Sequence, residues 1–346
     1  MSKLILTGKL QPQEELIKKL RDLLGDQNYG SGFGTNPTQK LLEDIPNHIN
    51  ILLEGTETEV HPRFVLVAYL VNDSLESISP ILEAISSNTQ HPVSGMQALS
   101  LMHDSISDSY SKFSVFKHLV RIAASSSNLN LINLHLKKIE SLQKHWKNVP
   151  QEEKDEFLWE VSQLNLKADL KTKFLMKYLS EGDNPNKERV EEAFAQVVNF
   201  GEVEQVHQML LMPCLASLSG ASSELVSIFS EASIGKFQDF KNANSEYLAQ
   251  KGFVVEKCLS VLKVLALCQI AKTRQEFTFE EAMETLQIQE SEVDECIVKA
   301  LSSGLFEARI DQIERKVRIT RKMEEDSDVF WKELDQVMSK WEQRVK

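Results

Sequence analysis

The spacing of apolar residues changes late in this chain, and the change restricts its architecture more than any other feature. From Thr38 onward apolar positions recur at helical intervals almost without a break. At Phe306 the period drops to two. Phe306, Ala308 and Ile310 alternate with Glu307 and Arg309; beyond Asp311–Arg315, Val317 and Ile319 alternate with Lys316 and Arg318. This is the pattern of an antiparallel hairpin with one wet face.

Three helices are expected before the hairpin. Phe253–Lys272 is apolar on nearly every side, as in a helix buried on several faces. Thr278-Phe279-Glu280-Glu281 is a capping box, with Phe277 against Ala282 as its staple, and opens a short helix to about Leu286. The third helix starts near Ser291, carries Val293, Cys296, Ile297, Ala300 and Leu301, and can close on Gly304. Helix, helix, helix and hairpin make a winged helix. After it, Phe330, Leu334, Val337 and Trp341 form one apolar side of a last helix, which needs something to pack against.

Charge argues against direct DNA binding by this winged helix. Between Arg274 and Lys322 there are eight Lys/Arg against eleven Asp/Glu, a net charge of −3. The helix that would enter a groove opens with Glu290, Glu292, Asp294 and Glu295. Binding driven by counterion release needs cations there. The basic cluster Arg315, Lys316, Arg318, Arg321 and Lys322 has no aromatic residue interleaved for base stacking and reads as a solvated strand face. The sequence leaves open an RNA or ribosome contact for this cluster. A net charge of −12 for the whole chain also disfavours nucleic acid or anionic membrane as primary partners.

Upstream, helices are expected at 11–24, 41–53, 62–71, 75–86, 93–107, 111–125, 129–147, 151–164, 168–179, 187–199, 203–212, 222–230 and 234–250. Their short connections suggest antiparallel pairs stacked as a solenoid-like array. The expected divisions are a short helix and Gly-rich linker over 1–37 and a helical-repeat array over 38–185. A module over 186–322 follows, helical over 186–252 and winged over 253–322, with a terminal bundle helix over 323–346. The fold class is therefore all-α with a small β-hairpin.

No constellation for chemistry emerges. Gly30-Ser31-Gly32-Phe33-Gly34 lacks both a preceding strand and the Lys-Ser/Thr of a phosphate loop. The eight His residues include no H-E-x-x-H and no H-x-H, and the four Cys include no C-x-x-C. No catalytic residue, metal ligand or cofactor site is expected. There is no signal-peptide pattern and no long uninterrupted apolar run, so a cytosolic or nuclear chain with no membrane partner is expected.

Several stretches resemble the PCI family of scaffold subunits, found in the proteasome lid, the COP-nine signalosome and translation initiation factor three. They are Val115–Ser125, Phe237-Gln238-Asp239-Phe240, Leu262–Ala271, and Ile310-Asp311-Gln312 followed by Lys316-Val317. Within the family they are most similar to subunit m of initiation factor three. Signalosome subunit seven shares the Ile-Asp-Gln wing and the trailing helix. The resemblance implies a non-catalytic scaffold that joins other subunits of its complex and meets the small ribosomal subunit through that complex, with signalosome or lid membership as the alternative. It also implies interfaces at Ile310, Lys316 and Arg318 on the wing, and at Phe330, Leu334, Val337 and Trp341 on the trailing helix.

Overall fold

A computed structural model describes residues 12–33, 36–73, 78–182 and 186–322. The chain divides into two compact units, Met1–Lys171 and Thr172–Lys346.

The first unit is helical throughout its described residues. Its elements are α1 (Pro12–Leu24), α2 (Pro37–Asp44), a 3-10 turn (Ile45–His48), α3 (Ile49–Leu53), α4 (Glu57–Asp73) and α5 (Ile78–Ser86). Then follow α6 (Pro92–Ser105), α7 (Ser109–Ser125), α8 (Leu129–Lys137), α9 (Ile139–Gln143) and α10 (Gln151–Ser162). Helix α11 (Ala168–Glu181) begins in this unit and continues into the next. Helix α4 packs on α6, α5 on α7, and α6 on α7. That succession suits stacked helix pairs. Phe113, Phe116, Trp146 and Phe157 fill the core beside α7, with ring centroids 5.0–6.0 Å apart and mostly edge-to-face.

Two helices expected here are broken, each for a local reason. Pro46 has no N–H to donate, so 41–53 divides around the 3-10 turn. Lys138 leaves helical geometry at φ −94°, ψ 22°, and ends α8. The chain then reaches Trp146 through α9 and a series of turns, which carry the indole into the core. Helix α4 begins a turn earlier than Pro62. The Thr56 N–H donates to the Glu59 carboxylate at 2.8 Å, supplying a cap that holds the first turn ahead of the proline.

The second unit continues with α12 (Lys187–Phe200), α13 (Val203–Leu210), a 3-10 turn (Pro213–Ser217), α14 (Ala221–Ser230), α15 (Ile234–Ala243), α16 (Ser245–Gln250) and α17 (Val255–Thr273). Strand β1 (Glu276–Thr278), α18 (Phe279–Leu286), α19 (Glu290–Ser302), β2 (Phe306–Asp311) and β3 (Lys316–Lys322) complete it. Asn244, at φ −126°, ψ 34°, divides the single helix expected over 234–250 into α15 and α16. Helix α17 is the hub. It touches α12, α13 and α15 on one side and α18, α19, β1 and β3 on the other. This accounts for its all-round apolar sequence: Leu262, Val264, Leu265, Leu267 and Cys268 all lie in the core. Burial pushes the Cys258 and Cys268 thiols up to about 12, so both behave as small apolar residues.

Among the described residues all strand lies beyond Gln275, in one antiparallel sheet of order β1-β3-β2. The fold is a mostly helical array ending in a winged helix. The expected trailing helix, with Phe330, Leu334, Val337 and Trp341, lies outside the described residues.

Candidate subunit-docking surface

The winged helix is built from its capping box outward. The Thr278 hydroxyl accepts from the Glu281 N–H at 3.1 Å, and the Glu281 carboxylate accepts from the Thr278 N–H at 2.8 Å. Helix α18 stops at Gln287, whose φ of 53° is left-handed, and Gly304 reverses the chain at φ 74° before β2. Thr278 also ends a strand that the sequence did not announce. Residues Glu276–Thr278 pair with Arg318–Lys316 and make β3 the central strand.

Pairing sorts the sheet into rows. Phe277, Val317 and Ile310 share the inner row; Phe277 and Val317 are buried and Ile310 is half-buried. Ile310 thus helps close the inner row of the hairpin while keeping part of its side chain accessible. Glu276, Arg318 and Arg309 share a row on the wet face, as do Thr278, Lys316 and Asp311. The register shifts between Glu307 and Ala308, leaving Thr320 as the extra residue. This bulge brings Arg321 opposite Glu307.

Most of the cations on and beside the wet face are already matched. Arg318, with 52% of its side chain exposed, faces Glu314 at 2.9 Å, Glu276 at 3.7 Å and Asp311 at 3.9 Å. Lys316 lies 3.7 Å from Glu314, and Arg321 lies 3.5 Å from Glu307. Arg315 pairs with Glu290, the first residue of α19. Farther along α19, Glu292 faces Lys263 at 3.7 Å and Glu295 faces Lys299 at 2.6 Å. A phosphate backbone approaching here would have to displace carboxylates to reach Arg315, Lys316, Arg318 or Arg321.

One surface residue escaped the sequence reading. Ile313, at the tip of the hairpin, is 96% exposed. Its turn is braced at both ends. The Asp311 carboxylate accepts from the Ile313 N–H at 3.2 Å and the Glu314 N–H at 3.0 Å. The Phe279 N–H donates to the Arg315 carbonyl at 3.0 Å, and the Arg315 guanidinium sits 5.5 Å from the Phe279 ring centroid. A fixed turn thus holds a bare isoleucine in water. The sequence signal was an aliphatic residue inside a turn, where polar residues are usual. Val298, on the exposed side of α19, adds a second apolar surface position.

No group of three or more His, Cys, Asp and Glu among the described residues could hold a metal ion. No described helix is long and apolar enough to cross a membrane.

Residues 235–321 match the PCI domain family. The chain carries a PCI domain. The match takes in α15, α16, the hub helix and the winged helix as far as Arg321. Similarity to curated relatives extends beyond the PCI domain. The chain is 23% identical to eukaryotic translation initiation factor 3 subunit M of Dictyostelium discoideum, over 98% of this chain and 88% of that protein. It is 25% identical to the subunit M of Nematostella vectensis over 48% of this chain and 45% of that protein. For the subunit M of Anopheles gambiae the identity is 28%, over 35% and 32%.

Proposed function

We propose that this chain is a non-catalytic scaffold subunit of the eukaryotic translation initiation factor 3 complex. It acts in the cytoplasm and meets the small ribosomal subunit through that complex. The observation that carries this reading is the near end-to-end similarity to the Dictyostelium subunit M, together with the PCI domain at 235–321.

In this reading the winged helix is a docking module. Among the described residues strand β2 is an edge of the sheet, pairing with β3 alone, and its other side can meet a neighbour. Ile313 enters an apolar pocket on an adjoining subunit as a preorganised anchor. Lys316 and Arg318 exchange their carboxylate partners for those of the neighbour. Exposed ion pairs of this kind contribute only about 0–1 kcal/mol each, so the exchange costs little. Phe330, Leu334, Val337 and Trp341 enter on sequence alone, as the apolar side of a helix that gathers with the trailing helices of other subunits.

Sucrose-gradient sedimentation of a cell extract tests this placement. The tagged chain is expected to move with the small ribosomal subunit under initiation conditions. Sedimentation apart from it, when other initiation factor 3 subunits do co-migrate, would overturn the reading.

A further inference from the structure

Helix α8, in the N-terminal unit, turns two large aliphatic side chains into water. Leu131 and Leu134 are 60% and 62% exposed. They lie three positions apart and are neighbours on one helix face. The opposite face is fully used: Ile132, Leu136, Ile139 and Trp146 are buried. Lys137, Lys138, Lys144 and Lys147 are exposed along the same α8–α9 stretch. Glu140 is the one carboxylate between Leu129 and Lys147. In a chain of net charge −12, this stretch carries +3.

The contrast with the wing is informative. There Lys316, Arg318 and Arg321 are each matched by a carboxylate. Here, among the described residues, no ion pair occupies Lys138, Lys144 or Lys147. A single exposed leucine needs no explanation. Two on one turn, in a stretch where four exposed lysines outnumber a single carboxylate, make an apolar anchor site in a mainly cationic segment.

We propose that the α8–α9 face docks an amphipathic helix of another protein, bearing two apolar residues one turn apart and carboxylates beside them. Charge and ring content select this occupant. A second copy of the face would set +3 against +3. A nucleic acid strand would find lysines but no exposed aromatic platform, because Trp146, the only Phe, Tyr or Trp in 129–149, is 1% exposed. An acidic amphipathic helix satisfies both parts of the surface. The inference does not depend on the winged helix or on the complex proposed above.

The test uses the full chain and a fluorescent helical peptide of roughly 20 residues, long enough to hold helix in isolation. The peptide carries leucines one turn apart flanked by glutamates, and binding is read by anisotropy. Leu131→Ser with Leu134→Ser should weaken binding about tenfold or more. Lys138→Glu with Lys144→Glu and Lys147→Glu should do the same. Both variants should keep the wild-type melting temperature, since the changed side chains are exposed. The proposal is overturned if the peptide does not bind, or if a scrambled peptide of the same composition binds equally well. It is also overturned if oligouridine binds the wild-type chain more tightly than the peptide, or if either variant binds as wild type.

Discussion

Glu191 shows what a single buried carboxylate does in the second unit. Projecting from α12, it accepts from the Ser222 hydroxyl at the start of α14, from the Tyr247 hydroxyl at 2.6 Å, and pairs with Lys251 at the end of α16. Burial alone would push its carboxyl up, but the hydrogen bonds from Lys251, Ser222 and Tyr247 outweigh burial and hold it below the ordinary glutamate value. A carboxyl depressed in the folded state contributes stability above its unfolded value and loses it as pH falls through the folded value. Glu191→Gln should therefore cost about 1–3 kcal/mol at neutral pH. The deficit should shrink toward acid, as measured by urea unfolding across that range. A deficit that does not change with pH would contradict the assignment. At the wing, Ile313→Asp, and separately Lys316→Glu with Arg318→Glu, should leave stability within about 0.5 kcal/mol of wild type. Both should weaken co-purification of partner subunits. A large fall in melting temperature would show that these side chains belong to the chain's own core.

Among the elements, α18 depends most visibly on one residue. Thr278→Ala removes the hydroxyl that accepts from Glu281 and should destabilise the second unit by about 1 kcal/mol in thermal or urea unfolding. No measurable change would mean that tertiary packing alone holds α18. The box was readable because capping chemistry is local, and so were the third helix, its left-handed Gly304 and the alternation of the hairpin. Strand β1 was not readable: three residues carry too little alternation, and their pairing with β3 is set by a partner some forty positions away. The breaks at Lys138 and Asn244 were hidden for a related reason. Apolar spacing continues across both, so it does not mark where the backbone leaves helical geometry. Of the wing residues, Lys316 and Arg318 were placed correctly on the wet face from alternation. Their carboxylate partners come from β1, the turn and β2, and could not be paired without the fold. Ile313 belongs to no periodic pattern, so the sequence marks it only as an aliphatic residue within a turn.

At the scale of the whole molecule, both units are acidic and, in their described residues, mostly helical. The second unit gathers its helices around α17 and ends in a sheet with an open edge, a braced apolar tip and exchangeable ion pairs. The first presents a basic, leucine-bearing face on α8. Such a chain is suited to hold other proteins in place, and the identity of those proteins is the central claim. The most direct measurement is affinity purification of the tagged chain at its natural expression level, followed by quantitative mass spectrometry. The account predicts that subunits of translation initiation factor 3 and proteins of the small ribosomal subunit are recovered near stoichiometry. Recovery of the deneddylating signalosome subunits or of the proteasome lid in their place would contradict it.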